Sequence, residues 1–251
     1  MTPLARLAAS ASLGLLALVI FPRQASACGA AYPGGPVMCD YPPRPGAEET
    51  EKPFLRLSTS YAYTSTTIKF GGDKRADLTR HAVFGSMEVP LTARWTLQAG
   101  AGGILGGSLD HGVHDRMGPG FSAYVGTAYR LVDGRGYAPF VQLTGALSGT
   151  HVSTHTADDA SPRFTAFDLR IGAIAGKTIA ESFTPYVVGR AFGGPVYWQF
   201  DHQGVTGTDT YHYQVGGGVS LAVFHRRFDV FAEGIPLGEK GVSAGLGTTF
   251  F

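Results

Sequence analysis

From Phe54 to the last residue, apolar and polar positions alternate with period two, and helical periodicity is absent. Phe121, Ala123, Val125, Thr127, Tyr129 and Leu131 share one face, opposite Ser122, Tyr124, Gly126, Ala128 and Arg130. Phe167, Leu169, Ile171 and Ala173 alternate with Asp168, Arg170 and Gly172. Tyr211, Tyr213, Val215, Val219, Leu221 and Val223 oppose His212, Gln214, Gly216, Gly218 and Ser220. Successive side chains of a strand point to opposite faces, so each segment predicts a strand with one apolar and one polar or small face. The pattern predicts about ten such strands: 54–67, 79–92, 95–107, 120–132, 137–151, 164–178, 184–200, 211–225, 228–236 and 241–251. The connections alternate in length. One set is short: 92–94, 133–136, around Glu181, and 226–227. The other is longer and polar: 68–78, 108–119, 152–163 and 201–210, with 238–240 a short exception.

Alternating segments of about ten residues, even in number, are the signature of a closed antiparallel up-and-down transmembrane β-barrel. Eight or twelve strands would satisfy the pattern nearly as well. A soluble sandwich or lipocalin-like barrel also alternates, but its outer face needs Lys and Glu. Composition argues against it. Charged residues are 16% of the chain, against about 25% in a soluble domain. Aromatics at 12% argue against disorder. A formal net charge of +1 gives no electrostatic case for nucleic acid.

The first 27 residues read as a secretory signal: Arg6, then the apolar Leu13–Phe21, then Ala25-Ser26-Ala27 as a cleavage site. Without Arg6 and Arg23 the formal charge falls from +1 to −1. Residues 28–53 form a Pro/Gly-rich periplasmic leader, and 54–251 the barrel. Cys28 and Cys39 follow the cut in an oxidising compartment, where a small-loop disulfide persists. Lipidation of Cys28 is the rival reading, weakened by Ala25 where such signals usually carry Leu.

With its signal ending Ala25-Ser26-Ala27, strands such as Tyr137–Leu143 and terminal Gly247-Thr248-Thr249-Phe250-Phe251, the chain resembles the small outer-membrane β-barrel proteins of Gram-negative bacteria. The resemblance implies export through the periplasm, residence in outer-membrane lipid, and recognition of a C-terminal aromatic by the barrel-insertion machinery. Val242, Ala244 and Leu246 are in phase with Phe250, whereas the family pattern ends on the last residue, here Phe251. Both belong to the expected insertion signal.

With apolar faces toward lipid, the opposite face places Arg56, Glu88, Gln98, Arg130, Gln142, Asp168, Arg170, Arg190, Gln214 and Glu233 in the lumen. An Arg on the lipid face near mid-membrane would cost roughly 2–4 kcal/mol. A barrel of this size is just wide enough for side chains to fill it. The expected interior is an ion-pair network, with a narrow Arg-lined channel as the alternative. Trp95, Tyr129, Tyr137, Phe140, Tyr186, Tyr197, Trp198, Tyr211 and Phe250 fall near strand ends and are expected at the membrane interfaces.

The topology sends His81, His111, His114, His151, His155, His202 and His212 to the outer half, and only His225 to a periplasmic turn. Acidic neighbours include Asp110, Asp115, Asp158, Asp159, Asp201 and Asp209. Polar loops with no shared task are the simplest reading. A divalent-metal site drawn from His111, His114, His202, Asp110 and Asp201 is a second, because imidazole and carboxylate suit Zn or Cu. A third is a rim hydrolase: ten-stranded outer-membrane proteases activate water with Asp and His groups at this rim, and Asp201-His202 and Asp110-His111 resemble that arrangement. No Cys-x-x-Cys or His-Glu-x-x-His motif occurs. The expectation is therefore a non-catalytic barrel without cofactor, structural or serving limited small-solute passage or surface binding. An outer-rim metal protein or omptin-like hydrolase is the alternative.

Overall fold

The computed structural model describes residues 53–71, 74–134, 137–155, 162–180, 182–200, 203–224 and 227–251. The expected signal, nearly all of the leader, Cys28 and Cys39 lie outside these. The elements are β1 (Leu55–Phe70), β2 (Arg75–Pro90), β3 (Trp95–Asp110), β4 (His114–Asp133), β5 (Phe140–His155), β6 (Arg163–Gly176), β7 (Phe183–Gly193), β8 (Val196–Phe200), β9 (Gln203–Asp209), β10 (Tyr213–Val223), β11 (Phe228–Gly238) and β12 (Lys240–Phe250). Neighbours are antiparallel throughout. β12 returns to β1 from Leu55↔Phe250 to Ser65↔Lys240 and closes the wall.

Ten strands, β1–β7 and β10–β12, form the closed barrel. The remaining two form a hairpin inserted between β7 and β10. β8 pairs with β6 over Phe164–Ala166, and β9 pairs with β1 over Ile68–Phe70. The wall therefore has two levels. Near the termini it has ten strands. At the far end β7, β10, β11 and β12, each of 11 residues, have stopped. There the hairpin spans from β6 to β1 and leaves eight strands around the lumen.

This arrangement corrects the expected strand 184–200 and the expected loop 201–210. The strand breaks at Gly193-Gly194-Pro195. Pro195 has no N–H for a ladder, and a Cβ on Gly194 would lie 1.8 Å from the Phe167 carbonyl oxygen. The connections expected at 68–78, 108–119 and 152–163 are also shorter than read. β1 continues to Phe70, β2 starts at Arg75, β3 reaches Asp110, β4 starts at His114 and β5 reaches His155.

The outward face carries exposed Leu57, Leu97, Val125, Leu147, Ile171, Val187, Val219 and Leu246. Strands of 11 residues match what a tilted transmembrane strand needs, about 9–11 residues. Among the described residues no helix is long and apolar enough to cross a membrane. On β12, Val242, Leu246 and Phe250 are exposed on one face, and Phe251 follows the strand. Of the aromatics expected at the interfaces, Trp95, Tyr129, Tyr137, Tyr197, Tyr211 and Phe250 are exposed. Phe140, Tyr186 and Trp198 are instead buried. Each falls on the inward parity of its strand, so its ring packs inside the barrel.

Candidate functional site: the filled lumen and its outer rim

Inward-facing charged residues from distant strands meet in three groups. Nearest the termini, Arg56 on β1 donates from Nη1 to Glu88 Oε1 on β2 at 2.7 Å. From Nε and Nη2 it donates to Asp229 on β11 at 3.0 and 2.6 Å. All three side chains are 5% exposed or less. β12 runs between β11 and β1, and Gly247 leaves the gap the pair crosses. A Cβ there would sit 2.2 Å from Arg56 Nη2 and 2.5 Å from Asp229 Oδ1. In the second group Arg190 on β7 forms a two-pronged pair with Glu233 on β11, at 2.8 and 3.0 Å, and Tyr186 Oη donates to the same carboxylate at 3.1 Å. Such fork-to-carboxylate geometry fixes both partners.

The third group lies where the wall changes from ten strands to eight. Arg170 on β6 donates to Asp168, to Gln214 Oε1 at 3.2 Å and to Glu239 Oε2 at 3.0 Å. Gln214 Nε2 donates to Glu239 at 2.7 Å, and Arg80 Nη2 lies 3.5 Å from Glu239 Oε1. Glu239 reaches the lumen because the β11–β12 turn is short and stops part-way up the barrel. Gly238 takes φ +82° there, a left-handed conformation that costs other residues roughly 1–2 kcal/mol. Arg130 is buried on β4 with its guanidinium 5.6 Å from the Phe140 ring centre. Gln98 and Gln142 are buried on the same face of β3 and β5.

Every lumen residue named from the sequence is therefore buried or half-buried on the inward face. Sequence reasoning missed Asp229, Glu239, Arg80 and Tyr186. Asp229 shares the parity of Glu233 and was readable from alternation. Glu239 sits in a turn, where alternation assigns no face.

Above the charged groups the inward face changes character. Ile68, Phe70, Leu78, Ile104, Leu109, Met117, Val152, Phe164, Val196 and Trp198 form one apolar cluster, each 5% exposed or less. Val196 and Trp198 come from the β8 strand of the hairpin. Trp198 lies 5.7 Å from the Phe70 ring, and its Nε1 donates to Thr154 Oγ1 at 3.2 Å. A cavity of about 60 Å³ separates this cluster from the third charged group, bordered by Thr64, Thr66, Arg80, Asp168, Glu239 and Ile68. That volume is about that of two water molecules.

At the rim far from the β1 and β12 termini, the tight β3–β4 hairpin carries two His–Asp pairs. His114 Nδ1 is 2.5 Å from Asp110 Oδ1, and His111 Nδ1 is 3.7 Å from Asp115 Oδ2. The His111 ring packs edge-on against Trp198 at 5.2 Å. Asp115 is buried, with neither carboxylate oxygen hydrogen-bonded among the described residues. Burial raises its pKa, opposed by the charges of His111 and His114. A raised folded-state pKa makes its ionised form a cost, so this group favours the fold at low pH and loses that effect as pH rises through the raised value. The other histidines disperse. His81 Nδ1 lies 2.6 Å from Tyr61 Oη and His151 Nδ1 2.8 Å from Thr165 Oγ1, both on the outer wall. Asp201 and His202 lie outside the described residues. Among the described residues no group of three or more His, Cys, Asp or Glu side chains is placed to hold a metal ion.

No family model matches the chain, and no curated protein matches it. Solved structures do. The outer membrane protease OmpT from Escherichia coli superimposes with a TM-score of 0.50 at 12% identity, covering 80% of this chain and 99% of that one. The translocator domain of the autotransporter NalP from Neisseria meningitidis gives 0.48 at 11% identity, covering 80% and 90%. The N-terminal β-barrel domain of Pseudomonas aeruginosa OprF gives 0.34 at 13% identity, covering 77% and 97%. At such identities the likeness is one of fold: the chain has the closed antiparallel ten-stranded barrel of Gram-negative outer-membrane proteins.

Proposed function

We propose that the protein is an integral, non-catalytic barrel of the bacterial outer membrane whose lumen is closed, and that its work is done by its wall and outer rim. The apolar outward face and the ten-stranded fold support membrane residence. The observation that carries the closed lumen is the apolar cluster of the eight-stranded level, in which Trp198 of the inserted hairpin is 3% exposed. Hydrated ions or sugars crossing the barrel would have to displace these side chains and part the ion pairs beneath them.

The rim pairs give no support to hydrolysis as the main activity. The two His–Asp pairs sit on one hairpin, and Asp201 and His202 lie outside the described residues, so the described rim brings together only part of the set that reading drew on. The test is osmotic swelling of phospholipid vesicles containing the refolded protein, with arabinose as solute. Swelling at the rate of protein-free vesicles is expected. Arabinose entry proportional to the amount of inserted protein would refute the closed-lumen reading.

A further inference from the structure

The outward faces of β4, β5 and β6 change abruptly from apolar to basic along the strands. The lower part presents exposed Phe121, Leu147 and Phe167. Past Gly149 and Pro119, the outward positions toward the rim are His151, Arg163, His155 and Arg116, with Ser153 and Thr165 between them. Register fixes their proximity: Arg116 faces His155, Ser153 faces Arg163, and His151 faces Thr165. Arg116 reaches this face because of a bulge. Pairing jumps from Met117↔Thr154 to Gly120↔Val152, and the inward positions 117 and 118 are adjacent. Without that extra residue the even-numbered Arg116 would point opposite to the odd-numbered Phe121 and enter the apolar cluster. Bulges re-aim side chains in this way.

We propose that this basic face binds the phosphate-bearing headgroup of an anionic outer-leaflet lipid, whose acyl chains lie along Phe121, Leu147 and Phe167. The proposal rests on the membrane residence proposed above. Arg116 and Arg163 flank β5, so their strands are roughly 10 Å apart, a spacing that brackets a phosphate-sized group. The guanidinium fork matches phosphate oxygens in two-pronged contacts. Among the described residues, the outward carboxylates nearest this face, Asp110 and Asp77, sit further toward the tip. Asp110 lies 2.5 Å from His114, and Asp77 accepts from Thr67 at 2.6 Å. Tyr197, exposed on β8 opposite Thr165, continues the row with the amphipathic ring favoured at a membrane interface. The connection between β5 and β6 carries Asp158 and Asp159 in sequence, so the test reads the charge of the whole face.

The experiment counts lipids retained by the refolded, detergent-solubilised protein in native mass spectrometry. The probes are phosphatidylcholine, phosphatidylglycerol and a bis-phosphorylated, multiply acylated glucosamine disaccharide, each added singly. Preferential retention of the two anionic lipids over phosphatidylcholine is expected. The double variant R116E/R163E is expected to weaken that retention tenfold or more, R116Q/R163Q by less, and K69E/R75E, on the β1–β2 tip, hardly at all. A heat-modifiable band in gels establishes that each variant is folded. Equal retention of all three lipids, or unchanged retention by folded R116E/R163E, would overturn the proposal. Complete displacement by 20 mM inorganic phosphate would overturn it too, by showing a free-anion site without lipid specificity. A wild-type protein that retains no lipid and never inserts into vesicles would instead overturn the membrane reading itself.

Discussion

Arg56→Met is expected to destabilise the barrel by about 3–5 kcal/mol, because it removes the guanidinium that both buried carboxylates, Glu88 and Asp229, accept from. Both carboxylates hydrogen-bond to the Arg56 guanidinium at 2.6–3.0 Å, and the three side chains tie β1, β2 and β11 together beside the β12–β1 closure. Urea titration of the heat-modifiable folded fraction in lipid vesicles reads the effect. The triple variant R56M/E88Q/D229N is expected to recover most of the loss, since the two carboxylates that Arg56 held are then neutral. A midpoint for Arg56→Met indistinguishable from wild type would mean that the charged lumen does not hold the wall together.

Trp198→Ala is expected to act on the hairpin. Truncating a buried Trp costs about 3–5 kcal/mol through lost transfer energy and the cavity left behind. Only three register pairs join β8 to β6, and three join β9 to β1. The side-chain anchor is correspondingly important. Amide exchange in Val196–Phe200 and Gln203–Asp209 should accelerate on the order of a hundredfold or more, since about 3 kcal/mol corresponds to that factor. β4 and β5, which pair over most of their length, should be unchanged. Exchange in the hairpin equal to wild type would show that Trp198 is not its anchor.

Much of this architecture was legible in alternation, and its failures have identifiable physical causes. The expectation that apolar faces meet lipid holds along the lower wall, where Arg56, Arg130, Gln142, Arg190 and Glu233 face inward. It reverses above them. On β1 the even positions continue inward through Ala62, Thr64 and Thr66 to Ile68 and Phe70, without a change of parity. Residues 68–78 read as loop because polar and apolar faces exchange roles there. Trp198 resembled an interface aromatic for the same reason, whereas Phe140 and Tyr186 sit on the inward parity of the lower wall, against Arg130 and Glu233. The break at Gly193-Gly194-Pro195 carried ordinary turn chemistry. That the following segment would fold back as a two-stranded bridge depends on the length mismatch between β1–β6 and β7, β10, β11 and β12, a property of the whole wall. The lumen charges were readable singly, but their partners were not. Asp229 meets Arg56 across an intervening strand, and Glu239 depends on how high a turn sits.

Single-channel recording of the refolded protein in a planar phospholipid bilayer tests the closed lumen most directly. An inserted, heat-modifiable protein with no discrete current steps is the predicted result. Reproducible steps of fixed conductance in the wild-type protein would contradict it and make the Arg-lined interior a pathway.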